Sequence, residues 1–333
     1  MDKKLNVAVI GIGSMGKMHA RVYSEIEQAK LVAVCDIDEK TGQYIAAQYH
    51  CKYYKDYKEM LKNEQLDAIS LVVPTKFHHS IAKDIINAKV NILIEKPIAA
   101  TVDEAKDIIN LAKKNEIKLM IGHIERFNPA VQELKRLIAA GELGEISSIS
   151  AKRVGLFPLR IKDANVVIDA GVHDIDIFNY LLDSKPTKIS SNVAKAVASH
   201  EKEDYANIFV QYGKINAFLE VNWITPVKIR RLSVTGTKGY AELDYMEQTL
   251  VLYKNQENLF EKYAQMGALT YADYGVENIV SEVKVGILKK EPLKLELSHF
   301  LNCVINNKKP LVSGEEGLLA LSIALESIKK SRE

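Results

Sequence analysis

The chain has 333 residues, about twice the usual size of one domain, so two domains are expected. Its 45 Lys and Arg nearly balance 43 Asp and Glu, and the balance holds on both sides of residue 122. That excludes the one-sided charge with which proteins grip nucleic-acid phosphates. No run of about 18 apolar residues occurs, so no membrane partner is expected either. Met1-Asp2-Lys3-Lys4 leads straight into an apolar strand without a signal-peptide pattern, which points to a cytoplasmic protein. Cys35, Cys51 and Cys303 are too few and too scattered for a zinc site or a disulfide framework. They read as reduced, packed thiols, and no metal is expected.

The first third alternates apolar strands with helical stretches. Strands are predicted at 5–10, 31–35, 68–73, 90–94 and 118–121, and helices at 17–27, 39–49, 76–88 and 102–114. The strands are almost continuously apolar (Val7-Ala8-Val9-Ile10, Leu31-Val32-Ala33-Val34), as in a parallel sheet covered on both faces. Right-handed crossovers then give an α/β Rossmann domain, a doubly wound parallel sheet, over residues 1–122. From Glu145 the pattern changes to strands in series, at 146–154, 187–199, 206–211, 215–223, 230–235, 240–244 and 249–253. A helix at 172–182 interrupts them, and helices near 293–306 and 317–330 close the chain. Residues 123–333 therefore read as an α+β domain with an open, mostly antiparallel sheet.

Gly11-Ile12-Gly13-Ser14-Met15-Gly16 follows the first strand and opens the first helix. Gly11 suits the tight turn, Gly13 lets a pyrophosphate approach the backbone, and Gly16 lets helix and strand pack closely. The helix N-terminus offers N–H groups and a positive dipole end to the phosphates. The second strand ends at Asp36, placed to accept hydrogen bonds from an adenosine ribose. Its charge would repel a 2′-phosphate and Ile37 supplies no cation, so NAD is favoured over NADP, with Lys40 close by. Val73-Pro74-Thr75 and Glu95-Lys96-Pro97 end two further strands at the edge where ligands bind in such sheets. Lys96 there points to the cofactor crevice, Pro97 fixes the chain direction through either peptide isomer, and His78 or His79 starts a helix.

Together, Gly11–Gly16, Asp36, Pro74-Thr75 with His78, and Glu95-Lys96-Pro97 resemble the family of glucose–fructose oxidoreductase, inositol dehydrogenase and MocA. The partner motif of the second domain is present as Asp169-Ala170-Gly171-Val172-His173-Asp174-Ile175-Asp176. The resemblance implies that Lys96 and His173 face the nicotinamide, with Asp169 the matching carboxylate. It also assigns Gly11, Ile12, Gly13, Ser14, Met15, Gly16, Asp36, Pro74, Thr75, His78, Glu95, Lys96 and Arg126 to the cofactor.

The chemistry follows from residue types as well. If Asp169–Tyr180 is helical, Asp169 and His173 share a face, with Asp176 three residues further. Oxidising a secondary alcohol needs a base for the hydroxyl proton, and an imidazole suits that task. A carboxylate would orient the ring, and Lys96 would stabilise developing alkoxide charge. The competing reading has Asp169 capping the helix and His173 packed on the sheet. Of Asp174 and Asp176, one is expected to face solvent.

Two basic stretches bear on the substrate: Lys152-Arg153 through Arg160 and Lys162, and Lys228, Arg230, Arg231 and Lys238. They suit an anionic substrate, or a solvated strand face or oligomer contact. Arg153, Pro158, Arg160, Asp163, Val167–Asp169 and His173–Asp176, with Gly122–Pro129, resemble the branch of the family that oxidises the 3-hydroxyl of UDP-N-acetylglucosamine. That resemblance makes Lys96, Arg153, Arg160, Asp169 and His173 the substrate residues. A dehydrogenase of a free polyol such as myo-inositol, and an NAD-binding sensor without turnover, are the alternatives. Trp223 reads as core or interface, and the open sheet as the contact of a homodimer or homotetramer.

Overall fold

The computed structural model describes residues 4–158, 164–197, 199–255 and 280–332. By packing, the chain divides into two units: Met1–Phe127 with Lys290–Leu325, and Asn128–Lys289 with Glu326–Glu333.

In the first unit, β1 (Leu5–Ile10), β2 (Ala29–Cys35), β3 (Lys52–Tyr54), β4 (Ala68–Leu71), β5 (Asn91–Glu95) and β6 (Leu119–Gly122) form one parallel sheet. Its order is β3-β2-β1-β4-β5-β6, so the strand order reverses between β1 and β4. Ligands bind such sheets at the carboxyl ends beside that reversal. The central strands are apolar on both faces because helices cover both: Val7, Ala8, Val9, Ile69, Leu71, Ile92, Leu93 and Ile94 are all buried. The helices are α1 (Ser14–Glu25), α2 (Glu39–Gln48), α3 (Tyr57–Asn63), α4 (His78–Asn87) and α5 (Val102–Lys114). α5 shows why the chain turns helical where it does. Thr101 and Glu104 form a capping box, Asp103 and Glu104 lie in the first turn, and Lys113 and Lys114 lie in the last.

Two more helices belong here in part or whole, α8 (Pro292–Ile305) and α9 (Gly314–Lys330), the latter ending in the second unit. α8 buries Leu293, Leu297, Phe300 and Leu301 and packs on α1 and on the turn Ile124–Phe127. A single cut at residue 122 would separate α8 from the surfaces that bury it, and for that reason the packing groups Lys290–Leu325 with the first unit.

The second unit holds an eight-stranded sheet of β7 (Ile146–Leu156), β8 (Lys188–Ala194), β9 (Tyr205–Tyr212), β10 (Ile215–Asn222), β11 (Ile224–Gly236), β12 (Gly239–Asp244), β13 (Thr249–Asn255) and β14 (Val280–Val285). The order is β14-β13-β12-β11-β7-β10-β9-β8, antiparallel except where β7 meets β10. Side chains alternate as a half-covered sheet requires. Ala206, Ile208, Val210 and Tyr212 of β9 are buried, with Leu219 and Val221 of β10. The covering helices are α6 (Pro129–Ala139) and α7 (Val172–Leu182). On the opposite face Phe209 stacks beside Phe218, and Tyr240 beside Tyr253. Among the described residues, no helix is long and apolar enough to cross a membrane.

The sequence reading omitted β3, α3, α6 and β14. β3 is three residues long, too short to show alternation. α6 does carry its signal, Asn128 as the cap and Pro129 at the first helical position.

Phe178 of α7 is fully buried. Phe178→Ala is expected to cost roughly 3–5 kcal/mol, read as a lower denaturant midpoint.

Candidate active site

Five strand ends meet at the carboxyl edge of the parallel sheet, and each carries a residue that the sequence singled out. After β1 the chain turns at Gly11, whose φ of +91° suits glycine and whose Cβ would sit 2.6 Å from the Val72 carbonyl oxygen. A Cβ on Gly16 would lie 1.8 Å from the Gly11 carbonyl oxygen, so this turn cannot form with any larger residue there. Gly13 and Ser14 stand exposed where α1 begins. No side chain caps that N-terminus and no acid lies in its first turn. Its N–H groups and dipole are therefore available to a phosphate.

Asp36 follows β2. Its carboxylate accepts the Ile12 backbone N–H, and the Asp38 N–H at 2.8 Å. It is thus locked beside the glycine turn with lone pairs to spare for ribose hydroxyls. Tyr53 donates to the Asp36 carbonyl at 3.0 Å and steadies the same corner. An open helix N-terminus and a fixed carboxylate are the donor and acceptor set that a dinucleotide needs. The residues present fit NAD.

β4 ends at Leu71, and Pro74 leads into a short 3-10 turn, Thr75–Phe77. His78, the first residue of α4, is 1% exposed. Its ring nitrogens lie 2.9 Å from the carbonyl oxygens of Pro97 and Val73, so it ties the end of β4 to the turn after β5. Burial, partly offset by those carbonyls, holds this imidazole below the ordinary histidine range. His79 instead faces Asp107 at 2.7 Å, between α4 and α5. The turn after β5 is Glu95-Lys96-Pro97, with a cis peptide before Pro97. Glu95 lies 3.0 Å from His19 and accepts the Lys96 backbone N–H at 3.1 Å. Burial opposes its charge, but the His19 bond and the Lys96 charge hold the carboxyl below the usual carboxylate range. Lys96 itself is half-buried at the edge.

In the second unit, Val167–Gly171 is a wide π turn that runs into α7, a form that recurs at functional sites. Asp169 sits within it and His173 in the first turn of α7, both half-exposed. The side chain of Asn165 accepts the Ile168 N–H and caps the start of this turn. Asp174 and Asp176 are both buried, so neither faces solvent as expected. Asp174 pairs with Arg153 of β7 through Nε, and through Nη2 at 3.4 Å. That buried guanidinium also lies over the Tyr245 ring.

Arg153 thus braces α7 from the sheet, beside His173. Arg126, 1% exposed, binds Glu316 and the Leu311 carbonyl and ties the Ile124–Phe127 turn to the start of α9. Two of the three arginines assigned to ligands by resemblance, Arg126 and Arg153, thus each pair with a carboxylate of their own unit. Arg160 lies outside the described residues. Two cations of the basic stretches are also paired, Lys152 with Glu220 and Arg231 with Asp244. Trp223 is buried edge-on to Phe157, a core position. Burial pushes the Cys35 thiol up to about 12 and that of Cys51 to about 11, so both are protonated packing residues. Among the described residues, no cluster of metal-ligating side chains occurs.

Sequence reading missed His19 and Glu296. Each is a buried polar residue on an otherwise apolar helix stripe, a signal visible in Leu293, Glu296, Leu297 and Phe300 but easily read as noise.

A family model for an oxidoreductase family with an NAD-binding Rossmann fold matches residues 5–123, and one for the GFO/IDH/MocA C-terminal domain matches 131–242. The chain belongs to the GFO/IDH/MocA oxidoreductase family. It is an NAD-dependent oxidoreductase built on that family's two-part plan. UDP-N-acetylglucosamine 3-dehydrogenase of Acidithiobacillus ferrooxidans is 29% identical over 97% of this chain and 96% of its own. A solved structure of that protein matches with a TM-score of 0.84 at 27% identity, covering 98% and 97% of the two chains. The NAD-dependent scyllo-inositol 2-dehydrogenase of Bacillus subtilis is 26% identical over 100% of this chain and 95% of its own.

The Arg153 brace makes a prediction. Arg153→Ala leaves the buried Asp174 carboxyl without its guanidinium partner, and is expected to lower stability by roughly 3–5 kcal/mol, measured by urea unfolding. A purely substrate-anchoring Arg153 would instead raise KM and leave the unfolding midpoint unchanged.

Proposed function

We propose that this enzyme oxidises the 3-hydroxyl of UDP-N-acetylglucosamine, or of a related UDP-linked amino sugar, to the 3-keto sugar nucleotide. The observation that carries the substrate is the end-to-end similarity to a UDP-N-acetylglucosamine 3-dehydrogenase. The comparable match to an inositol dehydrogenase favours a second reading, a free polyol such as myo-inositol. Family membership sets aside the sensor without turnover.

NAD, when bound, supplies the hydride acceptor; Gly11–Gly16 and Asp36 hold its pyrophosphate and ribose, with Pro74, Thr75, His78, Glu95, Lys96 and Arg126 completing or bracing its site. The protein's own residues handle position and protons. His173 takes the hydroxyl proton as general base. Asp169, half-exposed in the π turn, orients the imidazole. The Lys96 ammonium stabilises negative charge that develops on the substrate oxygen. The Asp36 carboxylate, which already accepts two backbone N–H groups, disfavours a 2′-phosphate and gives the preference for NAD. Arg160 with Lys96, Asp169 and His173 would meet the substrate, and Arg153 would act through the position of α7. A second copy of the chain packs on the open sheet face, where aromatic pairs stand outward.

Absorbance of reduced nicotinamide, followed with NAD and each candidate in turn, tests the substrate. Growth is expected with UDP-N-acetylglucosamine and not with myo-inositol; growth with myo-inositol alone contradicts the nucleotide-sugar reading. Lys96→Met and His173→Ala are each expected to lower kcat by on the order of 100-fold or more, and His173→Ala to retain NAD binding by calorimetry. Unchanged turnover in either variant removes that residue from the chemistry.

A further inference from the structure

The π turn that carries Asp169 is gripped at its entrance by residues that no step above uses. Asn165 is buried two residues before it. The Asn165 side-chain oxygen accepts the Ile168 N–H at 3.1 Å, and its backbone carbonyl accepts the Asp169 N–H at 3.0 Å. The amides of Ile168 and Asp169 therefore both end on Asn165. Asn165 Nδ2 in turn donates to Oε2 of Glu203 at 3.2 Å, and the Val166 N–H donates to the Glu203 carbonyl at 3.0 Å. Glu203 thus holds two consecutive residues, one through its side chain and one through its backbone.

The orientation of the Asn165 amide follows by elimination. A carboxylate only accepts and a backbone N–H only donates, so Nδ2 must face Glu203 and Oδ1 must face Ile168. A flipped amide would set oxygen against oxygen and N–H against N–H, and would lose both bonds. Glu203 is itself firmly mounted. The next residue, Asp204, is fully buried and accepts the N–H groups of Ala196 at 2.7 Å and Val197 at 3.0 Å, with His200 Nδ1 2.6 Å away. Burial opposes the Asp204 charge, but these partners hold its carboxyl below the usual carboxylate range. The Asp204 carbonyl accepts the Trp223 N–H at 2.8 Å, which joins this connection between β8 and β9 to the end of β10. The second Glu203 oxygen accepts from the exposed Arg332 at 3.0 Å.

We propose that Glu203 is a positioning residue for the reaction: its carboxylate fixes the Asn165 amide, and through it the place of Asp169 in the turn that leads to His173. The inference rests on the reading of Asp169 as the carboxylate that orients His173. A turn released at its entrance would misdirect that carboxylate, and a misplacement of about 1 Å can cost roughly 100-fold in rate.

Amide hydrogen exchange of the full-length, NAD-free protein, followed by mass spectrometry, reads the grip without any turnover. Glu203→Ala is expected to speed exchange in residues 165–171 on the order of 10-fold. Glu203→Gln keeps a side-chain acceptor for Asn165 and is expected to keep the wild-type rate. Turnover is followed with NAD and UDP-N-acetylglucosamine, or with myo-inositol if that is the alcohol oxidised. E203A is expected to lower kcat on the order of 10-fold with KM for NAD unchanged, and E203Q to restore it. In an Asn165→Ala background E203A is expected to cost nothing further, because both changes act on one turn. Wild-type exchange in E203A overturns the proposal, and so does an additive loss in the double variant. Wild-type kcat in E203A, while Asp169→Asn lowers it, also overturns it. If Asp169→Asn turns over normally and E203A still exchanges faster, the catalytic reading of Asp169 fails and the Glu203–Asn165 grip stands.

Discussion

The chain leaves β5 through Glu95-Lys96-Pro97, and buried polar contacts hold that turn from two sides. His78 reaches it from the end of β4 by way of the Pro97 carbonyl, and His19 reaches it from α1 by way of the Glu95 carboxylate. A lysine on an exposed loop is a mobile charge; a lysine on a turn braced at both neighbouring residues has a direction. The rest of the first unit serves this arrangement. The parallel sheet brings five strand ends to one edge, and the glycine turn after β1 clears the backbone for the dinucleotide.

The same device recurs wherever a functional segment has to stay in place. Arg126 fastens the turn after β6 to the start of α9, and Arg153 fastens the first turn of α7 to the second sheet. Each is a buried arginine paired with a carboxylate, an arrangement that contributes little net stability as a pair and destabilises strongly when one partner is removed. That asymmetry explains why residues that resemble ligand contacts in sequence can be bracing residues in the fold. Both roles demand arginine at the same place in the chain.

The layout was legible in the sequence to different depths. Continuous apolar strands with short helices between them specify the parallel sheet, and the alternation in β9 and β10 specifies a sheet with one covered face, because burial is what writes those patterns. Gly11, Gly16 and Asp36 were legible for the same reason: their spacing is imposed by one turn. β3 was not legible, since three residues at a sheet edge carry no period. The pairing of Arg153 with Asp174 was hidden too, because 21 residues separate them and helical spacing alone sent one of the two aspartates toward solvent. The return of α8 to the first unit depends on a contact nearly the full chain length away. A buried polar residue such as His19 reveals its partner, Glu95, only when the helix is packed on the sheet.

In the proposed reaction, hydride leaves ring carbon 3 of a UDP-linked amino sugar for the nicotinamide while His173 takes the hydroxyl proton. A single-turnover reaction with UDP-N-acetylglucosamine deuterated at that carbon tests it most directly. A primary isotope effect on nicotinamide reduction is expected, with deuterium recovered on the reduced cofactor. Reduced cofactor without the label, or label retained at carbon 3 after turnover, would contradict it.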